Sequence, residues 1–351
     1  MKTCHTSLHF SRRDFLKKSL LGLAGLALPW KSQVTDTLLG NFQEPQANLG
    51  RVLKPEIWVY SAPRFSSRKI GRVGINSLLP LLQTLQGQTD PFGNGVWYQI
   101  ASSLYIHSSG VQIVENKLNP IASQIPHRGK LAQVTVPYTK AWKDSFTRQK
   151  SSITLFYGSN HWVTAFGQNG DGNSFYRIEE DRWQQIYFVQ AEFLHIFSDE
   201  ELKATSPAIP PEDKRIEVHL NDQTVVAYEN DQPVFNTPMS SGLTGENKDY
   251  STPPGNYEII QKRPYRHMIH SDRIGDADPD MYGVPWVSYF TNTGIAFHGT
   301  YWHNEFNYPH SHGCINLPIE AAKWIYLWSQ PIVPPAEKNY VSIHGTVVNV
   351  I

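Results

Sequence analysis

Cysteine is nearly absent from this chain: of 351 residues only Cys4 and Cys314 carry a thiol, at opposite ends. That scarcity excludes a disulfide framework and a zinc site built on several thiolates. An excess of either charge is also missing, since 31 Lys and Arg balance 31 Asp and Glu. No net field therefore draws the chain to nucleic acid or to an anionic membrane surface. Long apolar runs are lacking too. The run from Leu20 to Leu28 falls well short of the roughly 20 residues that span a bilayer. What is plentiful is aromatic: 10 Trp, 17 Tyr and 16 Phe make a disordered chain untenable. The length leaves room for two or three domains.

The start of the chain reads Ser11-Arg12-Arg13-Asp14-Phe15-Leu16, then the short apolar run. Paired arginines before such a stretch form a twin-arginine export signal over residues 1–30. The expected location is the periplasm or the cell wall, on the outer side of the cytoplasmic membrane. Leu26-Ala27-Leu28-Pro29-Trp30 is not a clean small-x-small cleavage site, so an uncut signal is the one membrane contact the sequence allows. With the signal cut, Cys314 is the only thiol left, which an oxidising compartment gives no partner. Residues 31–50 are polar and aperiodic and read as a linker.

From residue 51 the pattern is β-like. Arg51 to Tyr60 alternates, Ser61-Ala62-Pro63 turns, and short apolar runs follow at Ile70–Ile75, Ser77–Leu85, Val96–Ala101 and Leu104–Ile106. Such spacing predicts a small barrel over 51–118. Val59-Tyr60-Ser61-Ala62-Pro63 and Trp97-Tyr98-Gln99-Ile100 resemble motifs of bacterial Src-homology-3-like domains. Tyr176-Arg177-Ile178 and Tyr187-Phe188-Val189-Gln190 follow at nearly the order and spacing of Tyr98-Gln99-Ile100 and Leu104–Val114, which suggests a second barrel over 119–205. Ser206-Pro207-Ala208-Ile209-Pro210-Pro211 breaks both helix and strand, so 206–214 is expected to be a linker. The remainder, 215–351, is strand-rich, with runs at Ile216–Leu220, Thr224–Tyr228, Pro233–Phe235, Gly255–Ile260, Trp286–Phe290, Gly294–His298 and Tyr340–Ile351. One helical pattern, Pro318 to Trp328, opens on a proline that a first helical turn tolerates.

The chemistry sits in Ser311-His312-Gly313-Cys314-Ile315-Asn316, preceded by Ile295-Ala296-Phe297-His298-Gly299-Thr300. A thiol attacks as thiolate, and an imidazole beside it assists by accepting the proton. His298 ends an apolar run, and the intervening loop can return Cys314 beside it, making His298 the expected base. Gly313 permits a tight turn, which places the amides of Gly313 and Cys314 as an expected oxyanion hole.

This pairing resembles the signature of the L,D-transpeptidase catalytic domain, which cross-links bacterial peptidoglycan. The likeness runs through residues 216–351 and includes Thr252-Pro253-Pro254-Gly255, where that family carries Thr-Pro-x-Gly before a strand. Residues 299–310 make a slightly short connection for the family, read as a trimmed loop over the site. The resemblance implies a mostly β fold: a C-terminal β-sandwich or mixed sheet with one helix after the cysteine, behind the two small barrels. It implies Cys314 as nucleophile, His298 as base and the Gly299 carbonyl as the group that fixes the imidazole tautomer. Ser311, His312 and Asn316 would shape the turn. Tyr282, Trp286, Tyr289 and Trp302 are candidates for lining the donor-peptide groove. The implied partners are peptidoglycan stem peptides, with carbapenem-type inhibitors, and neither cofactor nor metal is required. The expected reaction joins stem tetrapeptides through a thioester into 3-3 cross-links. The same acyl-enzyme, resolved by water or by a protein amine, would instead make an L,D-carboxypeptidase or attach a protein to the wall. A non-catalytic wall-binding protein is the reading from another class. His298, His303, His310, His312 and Cys314 could also suit zinc, and Asp276, Asp278 and Asp280 imitate the start of a calcium loop. The former lack helical spacing, and the latter meet Met281 and Val287 where a calcium loop needs Gly and Glu.

Overall fold

The computed structural model describes residues 48–143, 151–244, 249–269 and 280–351. The expected export signal, Cys4, Asp276 and Asp278 lie outside the described residues. The chain is mostly β, and its one α-helix among the described residues follows Cys314.

The first unit divides into two antiparallel sheets. Leu78–Leu81, Asn48–Val52 and Val111–Val114 form one; Lys69–Gly74, Glu56–Tyr60, Leu104–His107, Val96–Ala101 and Gln83–Gln86 form the other. The single alternating strand expected over 51–60 is broken at Leu53-Lys54-Pro55, where proline removes a ladder donor. Val52, Val59, Tyr98, Ile100, Ile106 and Val111 fill the space between the sheets.

The second unit is one seven-stranded sheet, ordered Ser152–Phe156, Tyr138–Trp142, Ile186–Gln190, Ser174–Glu179, Asn160–Gln168, Lys130–Val134 and Leu194–Ile196. Both units contain a hairpin, a single 3-10 turn (Ser108–Gly110, Ala191–Phe193) and a returning strand. The second also buries Leu131, Trp162, Phe197 and Leu202 in the same cluster as the C-terminal sheets. The proline-rich segment before residue 214 therefore does not separate independent bodies.

The C-terminal part stacks two five-stranded sheets. Gln232–Pro238, Thr224–Glu229, Lys214–His219, Val347–Val350 and Gly255–Glu258 make the first; Ile315–Leu317, Ala296–Gly299, Met281–Tyr289, Gln261–Met268 and Tyr340–Val341 make the second. Strand Met281–Tyr289 is buried almost throughout. Such a run marks a strand covered on both faces. Trp286 lies fully inside, 5.4 Å ring to ring from both Phe197 and Tyr326. It is a core residue and not part of a peptide groove.

Helix Ile319–Trp328 starts after Pro318 and turns Ala321, Ala322, Ile325, Tyr326 and Trp328 inward. Its C-terminal carbonyls meet two buried lysines. Lys262 Nζ donates to the carbonyls of Tyr326 (2.8 Å) and Ser329 (2.6 Å), and Lys214 Nζ to those of Ser206 (2.8 Å) and Trp328 (3.1 Å). Cationic donors suit the negative end of a helix. Burial pushes both lysines below the ordinary ammonium range, Lys262 far below, with neighbouring Lys214 adding to its shift.

Candidate active site

Strand Ala296–Gly299 runs parallel to Ile315–Leu317, with His298 opposite Asn316 and Phe297 opposite Ile315. Side chains alternate between faces, so Phe297 and Ile315 enter the core, where both are fully buried. His298, Asn316 and, one step before the strand, Cys314 share the other face. Neighbouring strands lie about 4.8 Å apart, so this diagonal pair stands near enough across the ladder for an imidazole and a thiol to meet. Tyr289 is opposite Ala296 and so joins the same face.

His298 is 2% exposed, and its Nδ1 lies 3.3 Å from the Gly299 carbonyl. Donating that N–H to the carbonyl leaves the lone pair on Nε2. The Cys314 thiol donates to the Gly294 carbonyl at 3.8 Å. Burial pushes the thiol up to about 11, opposed by a hydrogen bond from the Ala296 amide. Desolvation thus favours the neutral thiol over the thiolate, and the hydrogen bond offsets only part of that push.

The turn carrying Cys314 is tightly held. Ser311 Oγ accepts the Gly313 N–H at 3.0 Å and donates to the Cys314 carbonyl at 2.5 Å. The Gly313 amide is therefore taken up inside the turn, which corrects the expectation that it belongs to an oxyanion hole. Gly313 has φ of +114°, a region that disfavours a side chain. Segment 240–242 passes close beneath. A Cβ on Gly242 would stand 1.8 Å from the Tyr250 carbonyl and 2.9 Å from Gly313 Cα. Thr252 Oγ1 accepts the Gly242 N–H (3.0 Å) and donates to the Gly313 carbonyl (2.8 Å). Asn316 exchanges backbone hydrogen bonds with Ser240, and its amide is 2.7 Å from His303 Nε2.

His312 is exposed, with its ring 4.3 Å from that of Tyr250. The Trp302 ring lies 5.7 Å from that of His298 and packs in the cluster that includes Cys314. Tyr282 lies elsewhere: its ring sits 4.1 Å from His267 and 6.3 Å from Tyr187, in the contact with the second unit. Of the four aromatic candidates, Tyr289 and Trp302 stand at the thiol, while Tyr282 and Trp286 do not. From sequence, Thr252 is marked only by its family-like motif and buried His303 only as a zinc candidate, and nothing marks Gly242. Burial, His310 and His298 hold His303 well below the ordinary imidazole range. Among the described residues no three His, Cys, Asp or Glu side chains converge as a metal site would require.

Residues 213–350 match the YkuD family model, the L,D-transpeptidase catalytic domain. No curated protein sequence matches the chain. Solved structures similar to it include a mutant of the Enterococcus faecium L,D-transpeptidase, 22% identical over 40% of this chain and 50% of that one, with TM-score 0.30. The catalytic domain of an E. faecium L,D-transpeptidase acylated by ertapenem is 25% identical over 40% of this chain and 97% of that one, with TM-score 0.29. L,D-transpeptidase 3 from Mycobacterium tuberculosis is 19% identical over 52% of this chain and 79% of that one, with TM-score 0.31. The chain spans half to three fifths of the length of the first structures it matches.

Proposed function

We propose that the protein is an exported L,D-transpeptidase that joins peptidoglycan stem peptides through a thioester on Cys314. The observation that carries this reading is the shared face of His298 and Cys314, within the segment matching that family. Sulfur attacks the carbonyl at the L-centre of the third, diamino residue of a tetrapeptide stem while His298 Nε2 takes the thiol proton. The tetrahedral intermediate collapses, His298 returns the proton to the departing amine, and terminal D-alanine leaves. The side-chain amine of a second stem then attacks the thioester, its proton passes to His298, and the 3-3 cross-link and the thiol are released. One acyl bond is exchanged for another, so no nucleotide is consumed.

Residues 48–205 are proposed to hold the enzyme on its polymer, a role that suits Src-homology-3-like modules and raises local substrate concentration. Incubating the full chain with a disaccharide tetrapeptide should give a Cys314 acyl adduct and a cross-linked dimer by mass spectrometry. Hydrolysed tripeptide without dimer would assign carboxypeptidase activity. Ertapenem acylates the E. faecium domain and should label Cys314 here. Cys314→Ala should lose adduct and product together; retained cross-linking by that variant would refute the assignment.

A further inference from the structure

The connection from His298 to the Cys314 turn is held partly from outside its own domain. Arg51, on the first strand of the first unit, is 3% exposed. Its guanidinium donates to the Tyr301 carbonyl at 2.5 Å, to Asn76 Oδ1 at 3.0 Å and to Gln112 Oε1 at 2.7 Å. The same group lies 4.4 Å over the Phe156 ring of the second unit. One side chain thereby touches all three parts of the molecule. Nearby, Lys54 forms an ion pair with Glu305, Asn304 Nδ2 donates to the carbonyls of Ser108 (3.3 Å) and Val111 (3.0 Å), and Phe92 stacks on Tyr308 at 4.0 Å.

We propose that loop 300–310 is kept in its working shape by docking against residues 48–114, with Arg51 and Lys54 as positioning residues for the Cys314–His298 pair. The inference rests on the catalytic reading above. Two short routes lead inward. From Arg51, the fixed Tyr301 packs edge-on against Trp302 at 5.1 Å, and Trp302 lies beside His298. From Lys54, Glu305 donates its N–H to His303 Nδ1 at 3.3 Å, and His303 meets Asn316 opposite His298. The far half of the loop has anchors within its own domain: Asn307 N–H on the Met239 carbonyl and Ser240 Oγ on the Glu305 carbonyl. On the near half, the carbonyl of Tyr301 takes its side-chain donor from Arg51, 250 positions away in sequence.

The test uses the full chain and two readouts: ertapenem acylation of Cys314, and alkylation of Cys314 by iodoacetamide, which needs no substrate recognition. Arg51→Ala and Lys54→Gln should each slow acylation by roughly 5-fold or more, the scale of coupling carried through a packed network. Lys54 is partly exposed, so Lys54→Gln should unfold at the wild-type temperature; it decides the matter if Arg51→Ala fails to fold. The reciprocal exchange, Lys54→Glu with Glu305→Lys, should restore most of the rate. Wild-type acylation in Lys54→Gln, or no recovery in the exchanged pair, would overturn the proposal. If ertapenem leaves the wild type unmodified, the transpeptidase reading falls. The positioning role is then judged by alkylation, which must change in Lys54→Gln and return in the exchanged pair.

Discussion

Thr252 Oγ1 donates to the carbonyl of Gly313 at 2.8 Å, across 61 positions of sequence, and takes the Gly242 N–H in the same instant. The threonine of Thr-Pro-Pro-Gly is therefore the brace between the segment beneath the turn and the turn itself. Removing the hydroxyl strands a buried carbonyl and a buried amide. Thr252→Val should cost about 1–3 kcal/mol in denaturant unfolding and slow acyl-enzyme formation, whereas Thr252→Ser should retain both. A valine variant with wild-type stability and rate would show that the turn holds itself.

The protonation of Cys314 gives a signed prediction. Burial raises the folded-state thiol to about 11, against an ordinary value of about 8.5. Labelling by iodoacetamide should accelerate steadily from about pH 7 to about pH 10, because each step frees more thiolate. A plateau near neutrality would mean that His298 already holds the proton at rest. The linked stability has the matching sign: it is fully present below the unfolded value of about 8.5 and is lost as pH rises through about 11.

Part of the acid sensitivity should come from the second unit. His161 is held down to about 3 by burial, and Gly283 packs so near that a Cβ there would lie 2.4 Å from the imidazole. A depressed group contributes stability above its unfolded value of about 6.5, and that contribution is lost as pH falls toward about 3. The slope should approach about 1.4 kcal/mol per pH unit for this one proton. His161→Leu should flatten the profile of unfolding midpoint against pH between about 6 and about 4. Ser159 keeps a partner in that variant, because its hydroxyl also donates to the Phe156 carbonyl at 2.7 Å. An unchanged slope in the variant would assign the acid sensitivity to other groups.

What the sequence makes legible is local. The Ser311–Asn316 turn, the strand before His298 and the helix after Pro318 each carry their pattern within a few residues, and each is found in place. Strand Gln261–Met268 is not legible, although it is the neighbour of Met281–Tyr289. Its Lys262, Arg263, Arg266 and His267 look like a solvated stretch. They are instead satisfied by distant groups: helix carbonyls for Lys262, Asp181 for both arginines and Glu180 for His267. Trp286 and Tyr289 illustrate the same limit from the apolar side. Three residues apart, they share aromatic character, yet one fills the core and the other faces the thiol. Ring chemistry does not reveal which face of a sheet is covered by a second unit. Within the site, the polar supports Thr252 and His303 act through partners far along the chain, so spacing alone does not single them out.

The paired lysines beneath the helix have an architectural effect. Lys214 comes from one C-terminal sheet and Lys262 from the other, yet both amines end on carbonyls of the same helical terminus. That terminus acts as a keystone: a slide of either sheet would strip hydrogen bonds from a place water does not reach. Ten residues of helix, about 15 Å, lie between this joint and Pro318 at the opposite end. The turn carrying Cys314 is thus hung from a frame locked at its far side, and the strands that aim histidine and cysteine keep their alignment because neither sheet can slide past the other.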